Sequence, residues 1–133
     1  MTPSENWAIW TLGVIALTIT AFFTLVAVLK SVSASQAAFA LLALMAFHPR
    51  SRRKITGPEF DEREKEIALS AQRAGFSAVW VAFTAVVVTI GFVKGWDATL
   101  VVPMWKLTSS LWWGTALMLT VQCVATLVLY RRG

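Results

Sequence analysis

The sequence is poor in the residues that build active sites, metal centres and disulfides. Its 133 residues contain one cysteine and one histidine. Because Cys123 is alone, it cannot form a disulfide within the chain, which excludes the thiol oxidoreductases that need paired cysteines. The chain also has no nucleophile–base pair, no glycine-rich phosphate loop and no cluster of metal ligands. We therefore predict that it is not an enzyme, that it binds no cofactor or metal, and that it has no catalytic residues.

Charged residues are also scarce. Asp, Glu, Lys and Arg make up 14% of the chain, against about 25% in soluble domains, and none of them falls in 7–29, 74–93 or 107–130. The hydrocarbon core of a bilayer is ~30 Å thick and requires about 20 helical residues that rise ~1.5 Å each. Soluble helices of this length need a polar face, which these stretches lack. Each stretch is therefore predicted to be a transmembrane helix.

A shorter apolar run, 31–48, is rich in alanine and serine. As an α-helix it would reach ~27 Å, enough to cross a slightly thinned bilayer. Together with the three longer stretches, it predicts an all-α fold. We expect an integral membrane four-helix bundle in which residues 1–133 form a single membrane domain.

The basic residues predict how the chain is oriented. Seven of them lie in 49–73 and two at the C-terminus, whereas only Lys30, Lys94 and Lys106 lie elsewhere. The positive-inside rule places the central loop and the C-terminus in the cytoplasm, and four spans place the N-terminus there too. The net charge of +5 comes from residues that flank the spans, so no direct contact with nucleic acid is expected. The predicted location is the cell (inner) membrane, with several passes.

The aromatic residues agree with this orientation. Tryptophans cluster at the predicted outer ends of the third and fourth spans, where amphipathic rings favour the membrane interface. The connection between these spans, 95–106, is itself apolar. We predict that it lies in the outer interface as a short helix or a partly re-entrant loop. The tryptophans in question are Trp96, Trp105, Trp112 and Trp113.

The loop between the second and third spans is predicted to have two parts. The first is a basic turn just inside the membrane, formed by Arg50, Arg52, Arg53 and Lys54. Each of these cations would attract anionic lipid headgroups by roughly 1 kcal/mol. The basic turn is therefore a predicted contact with membrane lipid.

The second part of the loop is the beginning of the third helix. Pro58 suits the first helical position, and acids at 59, 61 and 62 favour the positive end of the helix dipole. We predict one continuous helix over 58–93, whose first part, 58–73, is a cytoplasmic arm. An arm of this length would project ~24 Å from the membrane or lie along its surface.

Small residues recur along the third helix at alternating spacings of four and three. In lipid, helices associate through the close packing of such small side chains, and the 3.5-residue period predicts a left-handed crossing. Two interpretations remain open: a contact with another helix of the same chain, which we favour, or the seam of a homodimer. This small-residue stripe consists of Ala71, Gly75, Ala78, Ala82, Ala85 and Thr89.

Gln122 is a polar residue inside the fourth predicted span. Hydroxyl groups at a suitable depth to bond it belong to Ser77 and Thr84, or to Thr11 and Thr18. Hydrogen bonds of this kind between helices contribute about 0.6–2 kcal/mol. We favour a structural bond between helices, and a contact with a ligand is the alternative.

Residues 61–67 read Asp-Glu-Arg-Glu-Lys-Glu-Ile and precede a predicted span. This segment resembles the D-E-R-x-x-x-I signature of an uncharacterised family of small prokaryotic four-span membrane proteins, which lies on the cytoplasmic approach to their third helix. The matching positions are Asp61, Glu62, Arg63 and Ile67. Family members often occur beside small helix-turn-helix regulators, so the resemblance implies a regulatory or sensing association with a cytoplasmic protein. It implies no chemistry.

Two roles remain open for the charges of this motif: pairing with the basic turn, or only starting the helix. The first role favours a small interaction or regulatory module, whose interaction arm (Asp61, Glu62, Arg63 and Ile67) and basic turn contact a partner or anionic lipid. The alternative function is a small transporter or channel subunit that acts as an oligomer. Ion-coupled transporters need an ionisable group inside the membrane, at a cost of at least ~2.5–3.5 kcal/mol, and no Asp, Glu, Lys or Arg lies in the predicted spans.

Overall fold

Four helical segments make up the fold of residues 3–47 and 61–132, which are the parts of the chain that this computed structural model describes. Helix α1 is Pro3–Leu29, and α2 is Val32–Ser35, which continues directly as a 3₁₀ helix over Gln36–Phe47. Helix α3 is Glu62–Lys94 and α4 is Met104–Arg132. The described residues contain no strand, so the predicted all-α class is confirmed.

The helices begin and end at or near the predicted positions, and α1 ends at Leu29 as predicted. α1 starts before position 7, at Pro3, because proline suits the first helical turn, where its missing N–H has no partner to lose. α4 extends beyond 107–130 at both ends, and the carbonyl of Pro103 accepts the backbone N–H of Lys106 at 3.0 Å at its start. α3 begins at Glu62, because Asp61 has extended backbone and caps it; the predicted start at 58 lies outside the described residues.

Three helices are long and apolar enough to cross a membrane, and they are α1 from Ser4, α3 and α4. The second segment is apolar but short. Its 3₁₀ part rises ~2.0 Å per residue, so Gln36–Phe47 covers about 24 Å and Val32–Ser35 adds about 6 Å. The 3₁₀ geometry therefore brings this segment to about the thickness of the hydrocarbon core.

Two contacts fix which helix ends lie together. At one end of the molecule, the hydroxyl of Ser4 in α1 donates to the carboxylate of Glu64 in α3; we call this the arm end. At the other end, the side-chain amide of Gln36 donates to the carbonyl of Trp105 at 2.8 Å; we call this the loop end, because it holds the 95–103 connection. α1 and α3 therefore run from the arm end to the loop end, and α4 returns.

Helix α4 is central to the packing, because it contacts both α1 and α3 while the 3₁₀ helix packs on α1. The largest fully buried side chain is Phe39, of which 1% is exposed. Its ring stacks on Trp112 at 5.6 Å between centroids and meets Trp113 edge-on at 5.5 Å. Phe22 completes this aromatic core.

The position of two tryptophans differs from the expectation that they lie at the membrane interface. Trp112 and Trp113 are partly buried in the aromatic core, about 12–13 Å along α4 from its start at Met104. Aromatic rings that stack on one another gain about 0.5–1.5 kcal/mol beyond area burial, which favours this inward position. Trp96 and Trp105 are exposed at the loop end.

The 95–103 connection contains a turn at 96–97 and otherwise no regular secondary structure. Of the two forms expected for it, a short helix or a partly re-entrant loop, the short helix is absent. Gly95 begins the turn with a φ of 91°, a value that glycine adopts without the steric cost that other residues incur.

Candidate functional site

The start of α3 is built around Asp61. This residue has extended backbone, with φ −61° and ψ 153°, and its carboxylate accepts the N–H of Glu62 at 2.7 Å. Its carbonyl accepts the N–H of Lys65 at 3.0 Å. An aspartate at this position satisfies a donor that would otherwise have no helical partner. Glu62 and Glu64 then place negative charge in the first turn, where the helix dipole favours it.

The described part of the arm, residues 61–73, has an exposed side and a buried side. Asp61, Glu62 and Arg63 are exposed, whereas 7% of Ile67 and 0% of Ala71 are accessible. The four positions of the motif are therefore divided: its three charged residues face solvent and its isoleucine lies in the core. Ile67 anchors the turn that carries the charges.

A second contact holds the arm at its tip. The Ser4 hydroxyl, on a residue of which 1% is exposed, donates to the Glu64 carboxylate. This bond joins the first turn of α1 to the first turn of α3. Hydrogen bonds to a charged group contribute about 1.5–3 kcal/mol. Ala68, on the same side as Ile67, is also buried, so the arm is packed on the rest of the protein along its described length.

The small-residue stripe begins as a contact within the chain. A Cβ at Gly75 would lie 2.6 Å from the backbone oxygen of Met118 and 3.2 Å from Cβ of Gln122. Only glycine allows α3 and α4 to approach so closely. At Gly75 the stripe therefore packs on α4 of the same chain.

Further along α3, the stripe leaves this contact. Ala78 and Ala82 are partly buried, and Ala85 and Thr89 are exposed. The hydroxyl of Thr89 donates to the carbonyl of Ala85 at 2.7 Å. The half of the stripe nearest the loop end therefore has an open face.

Gln122 lies beside Gly75, and its backbone carbonyl accepts the hydroxyl of Thr126 at 2.9 Å. The hydroxyl of Thr18, one of its predicted partners, donates instead to the carbonyl of Val14 at 2.8 Å. Threonine in a helix readily bonds the carbonyl one turn earlier. This local bond occupies the only proton of the Thr18 hydroxyl, so Thr18 cannot donate to the Gln122 side chain as well.

The basic turn, Arg50, Arg52, Arg53 and Lys54, lies outside the described residues. Within the described ranges, no group of three or more His, Cys, Asp or Glu side chains is placed to hold a metal ion. The candidate site consists of the exposed charges of the arm, at Asp61, Glu62 and Arg63.

Sequence reasoning missed a second stripe, on α1. Its members alternate at spacings of four and three, as in α3, and all are buried: Ser4, Ala8, Thr11, Ile15, Thr18 and Phe22. The same spacing would have found them. They do not stand out by composition, because small, polar and bulky residues are mixed. On α4, Ala116, Cys123 and Thr126 are buried with a compatible period.

Comparison with known proteins provides no relative: no family model matches the chain, and neither a curated protein nor a solved structure matches it. The resemblance of residues 61–67 to the D-E-R-x-x-x-I signature thus stays a prediction.

Proposed function

We propose that this chain is a small multi-pass protein of a prokaryotic cell (inner) membrane, and that it acts as an interaction or regulatory module. In this proposal four segments cross the bilayer as a bundle, and the arm end and both termini are cytoplasmic. The three long apolar helices and the distribution of Lys and Arg support the membrane location. α1 and α3 start at the same end of the molecule. This supports an even number of membrane crossings between the two starts.

One observation carries the functional part of the proposal. Asp61, Glu62 and Arg63 are exposed at the start of a helix whose next turn is buried through Ile67. These three residues form the charged tip of the arm. The tip is held in place by packing and by the Ser4–Glu64 bond. A preorganised group binds a partner without the further entropy cost of being ordered. We take this tip as the surface that meets a cytoplasmic regulatory protein.

Membrane lipid is the second partner in the proposal. The basic turn precedes the arm in the sequence, and its cations favour anionic headgroups. Such a contact would hold the arm end against the inner leaflet and orient the charged tip toward the cytoplasm.

A homodimer is compatible with this arrangement. Ala85 and Thr89 are exposed on α3, and α3 contacts α4 but has few contacts with the other helices. In the proposal, a second copy packs on this face at Ala85 through close contact between small side chains.

The same helices give less support to a pore. The polar residues that could line an oligomeric pore are Thr11, Thr18, Thr84, Thr115 and Gln122; of these, Thr11 and Thr18 are at most 1% exposed inside a single chain, whereas Thr84 is exposed. A pore-lining threonine has to meet water or a permeating ion. We therefore prefer the interaction module to the channel or transporter subunit.

The proposed topology predicts opposite labelling of two single-cysteine substitutions. Asp97→Cys lies in the exposed turn at the loop end, and Glu66→Cys lies on the exposed side of the arm. In intact spheroplasts, a membrane-impermeant maleimide is expected to label Asp97→Cys and to leave Glu66→Cys unlabelled. Inside-out vesicles should reverse the result. The parent chain should not be labelled from either side, because Cys123 is fully buried. Labelling of both substitutions from one side would contradict the topology.

The proposed function predicts that removing the charges at the tip abolishes partner recovery. The triple variant Asp61→Ser, Glu62→Gln and Arg63→Gln keeps a capping residue and good helix formers while it removes all three charges. After cross-linking in native membranes, co-purified protein measured by mass spectrometry should fall about fivefold or more.

The matched control carries Glu66→Gln and Arg73→Gln, which are exposed residues of the same arm outside the motif. Both variants should reach the membrane in parental amounts. Equal partner recovery from the triple variant and this control would remove the proposed role of the tip.

A further inference from the structure

An open apolar groove lies at the loop end, between the last turns of α3 and the 95–103 connection. It encloses about 380 Å³ and is lined by Thr89, Ile90, Val93 and Lys94 of α3 and by residues 100–102 of the connection. The walls are aliphatic apart from Thr89 and Lys94. The Thr89 hydroxyl already donates to a carbonyl of its own helix, so its proton is not available to a molecule in the groove.

The turn that leads into the connection is fixed by an aromatic contact. A Cβ at Gly91 would lie 2.7 Å from ring atoms of Trp96, so the indole packs directly on the backbone of α3. The ring of Phe92 meets the same indole edge-on, with 5.8 Å between centroids. This contact, with the positive φ of Gly95, returns the chain toward α3. The shape of the groove therefore depends on the packing of Trp96 against Gly91 and Phe92.

Charge and depth indicate what would fill the groove. Lys94 is the one charged residue among those that line it, and the nearby Asp97 is not among them. The charge-free stretch 74–93 ends directly before Lys94, so in a bilayer this cation stands where phosphate groups lie. From Lys94 the groove follows α3 to Thr89, about 7.5 Å toward the apolar interior.

From this juxtaposition we propose that the groove is a binding site for a single phospholipid. The phosphate pairs with the Lys94 ammonium, and an acyl chain lies against Ile90, Val93 and the 100–102 wall. This site is at the opposite end of the molecule from the charged tip of the arm, and it goes beyond the proposed function. It requires that α3 spans the bilayer, but it does not require the proposed partner.

Native mass spectrometry of the detergent-purified protein with added phosphatidylglycerol tests the site. Lys94→Gln is expected to raise the Kd for one bound lipid, measured by lipid titration, about fivefold, as the loss of about 1 kcal/mol of headgroup attraction implies. Ile90→Trp should also raise this Kd, because the larger apolar ring occupies the place of the acyl chain. Inorganic phosphate should not compete with the lipid, since it has no chain to bury.

Two variants serve as matched controls. Lys106→Gln removes a cation at the same end that does not line the groove, and Val81→Trp adds a ring on an exposed part of α3 away from it. Both should retain lipid as the parent does, and all variants should elute as the parent does in size-exclusion chromatography. Lipid retention by Lys94→Gln and Ile90→Trp equal to that of their controls would overturn the proposal. Displacement of the lipid by inorganic phosphate would overturn the role of the acyl chain.

Discussion

Replacing Gly75 by alanine is expected to lower the midpoint of thermal unfolding of the purified protein by roughly 5 °C or more. The added Cβ would lie 2.6 Å from the carbonyl oxygen of Met118, whereas an ordinary contact begins at 3.4 Å. This oxygen belongs to the backbone of α4, so it cannot rotate away as a flexible side chain can. The two helices must move apart by several tenths of an ångström along a contact that holds the arm.

Gly114→Ala is the matched control, because it lies in α4 and a Cβ there meets nothing within 4 Å. Alanine is the better helix former by up to about 1 kcal/mol, so this variant should unfold at the parental temperature or slightly above it. Circular dichroism of both variants in the same detergent makes the measurement. A parental midpoint for Gly75→Ala would mean that α3 and α4 do not pack through this glycine.

Phe39→Ala is expected to have the second large effect. It should lower the free energy of unfolding by about 3 kcal/mol. Buried aromatic residues cost about 3–5 kcal/mol on truncation in soluble proteins. In lipid, apolar transfer contributes less, but the contacts of the ring with Trp112, Trp113 and Phe22 are lost all the same. Titration with sodium dodecyl sulfate, followed by tryptophan fluorescence, measures the change.

Phe83→Ala is the control for this prediction. Phe83 is a phenylalanine on α3 that is 59% exposed, so its truncation should change the unfolding free energy by less than about 1 kcal/mol. The near-ultraviolet circular dichroism of Phe39→Ala should also weaken, since Trp112 loses the ring stacked on it. Equal stability of the two variants would place Phe39 outside the core.

Gly75→Ala and Phe39→Ala are expected to affect function differently. Gly75 follows the buried residues Ile67 and Ala71 on the side of α3 that packs inward, so its substitution should loosen the arm as well as the helix pair. Phe39 lies near the loop end, far from the tip. If Phe39→Ala retains partner recovery at a temperature where Gly75→Ala loses it, the position of the arm is what the partner requires.

The sequence predicted the helices well because the absence of charge over 7–29, 74–93 and 107–130 is a strong local signal. It was less successful at their ends. Asp61 was counted among the acids of a helical first turn, whereas it caps the helix from outside. Both positions favour an acid, so composition alone could not separate them. The tryptophans at 112 and 113 illustrate the same difficulty, because interfacial and core positions both suit an aromatic ring.

The chain thus determined by itself which segments are helical, which of them are apolar enough for a bilayer, and that α3 carries a stripe of small residues. These properties depend on the residue types and their spacing along a single helix. Only the tertiary structure decided that Gly75 meets Met118, that Ile67 is an anchor while its charged neighbours face solvent, and that a groove opens beside Lys94. Each of these depends on which helices lie next to each other, and a helix with the same sequence pattern can pack against more than one neighbour.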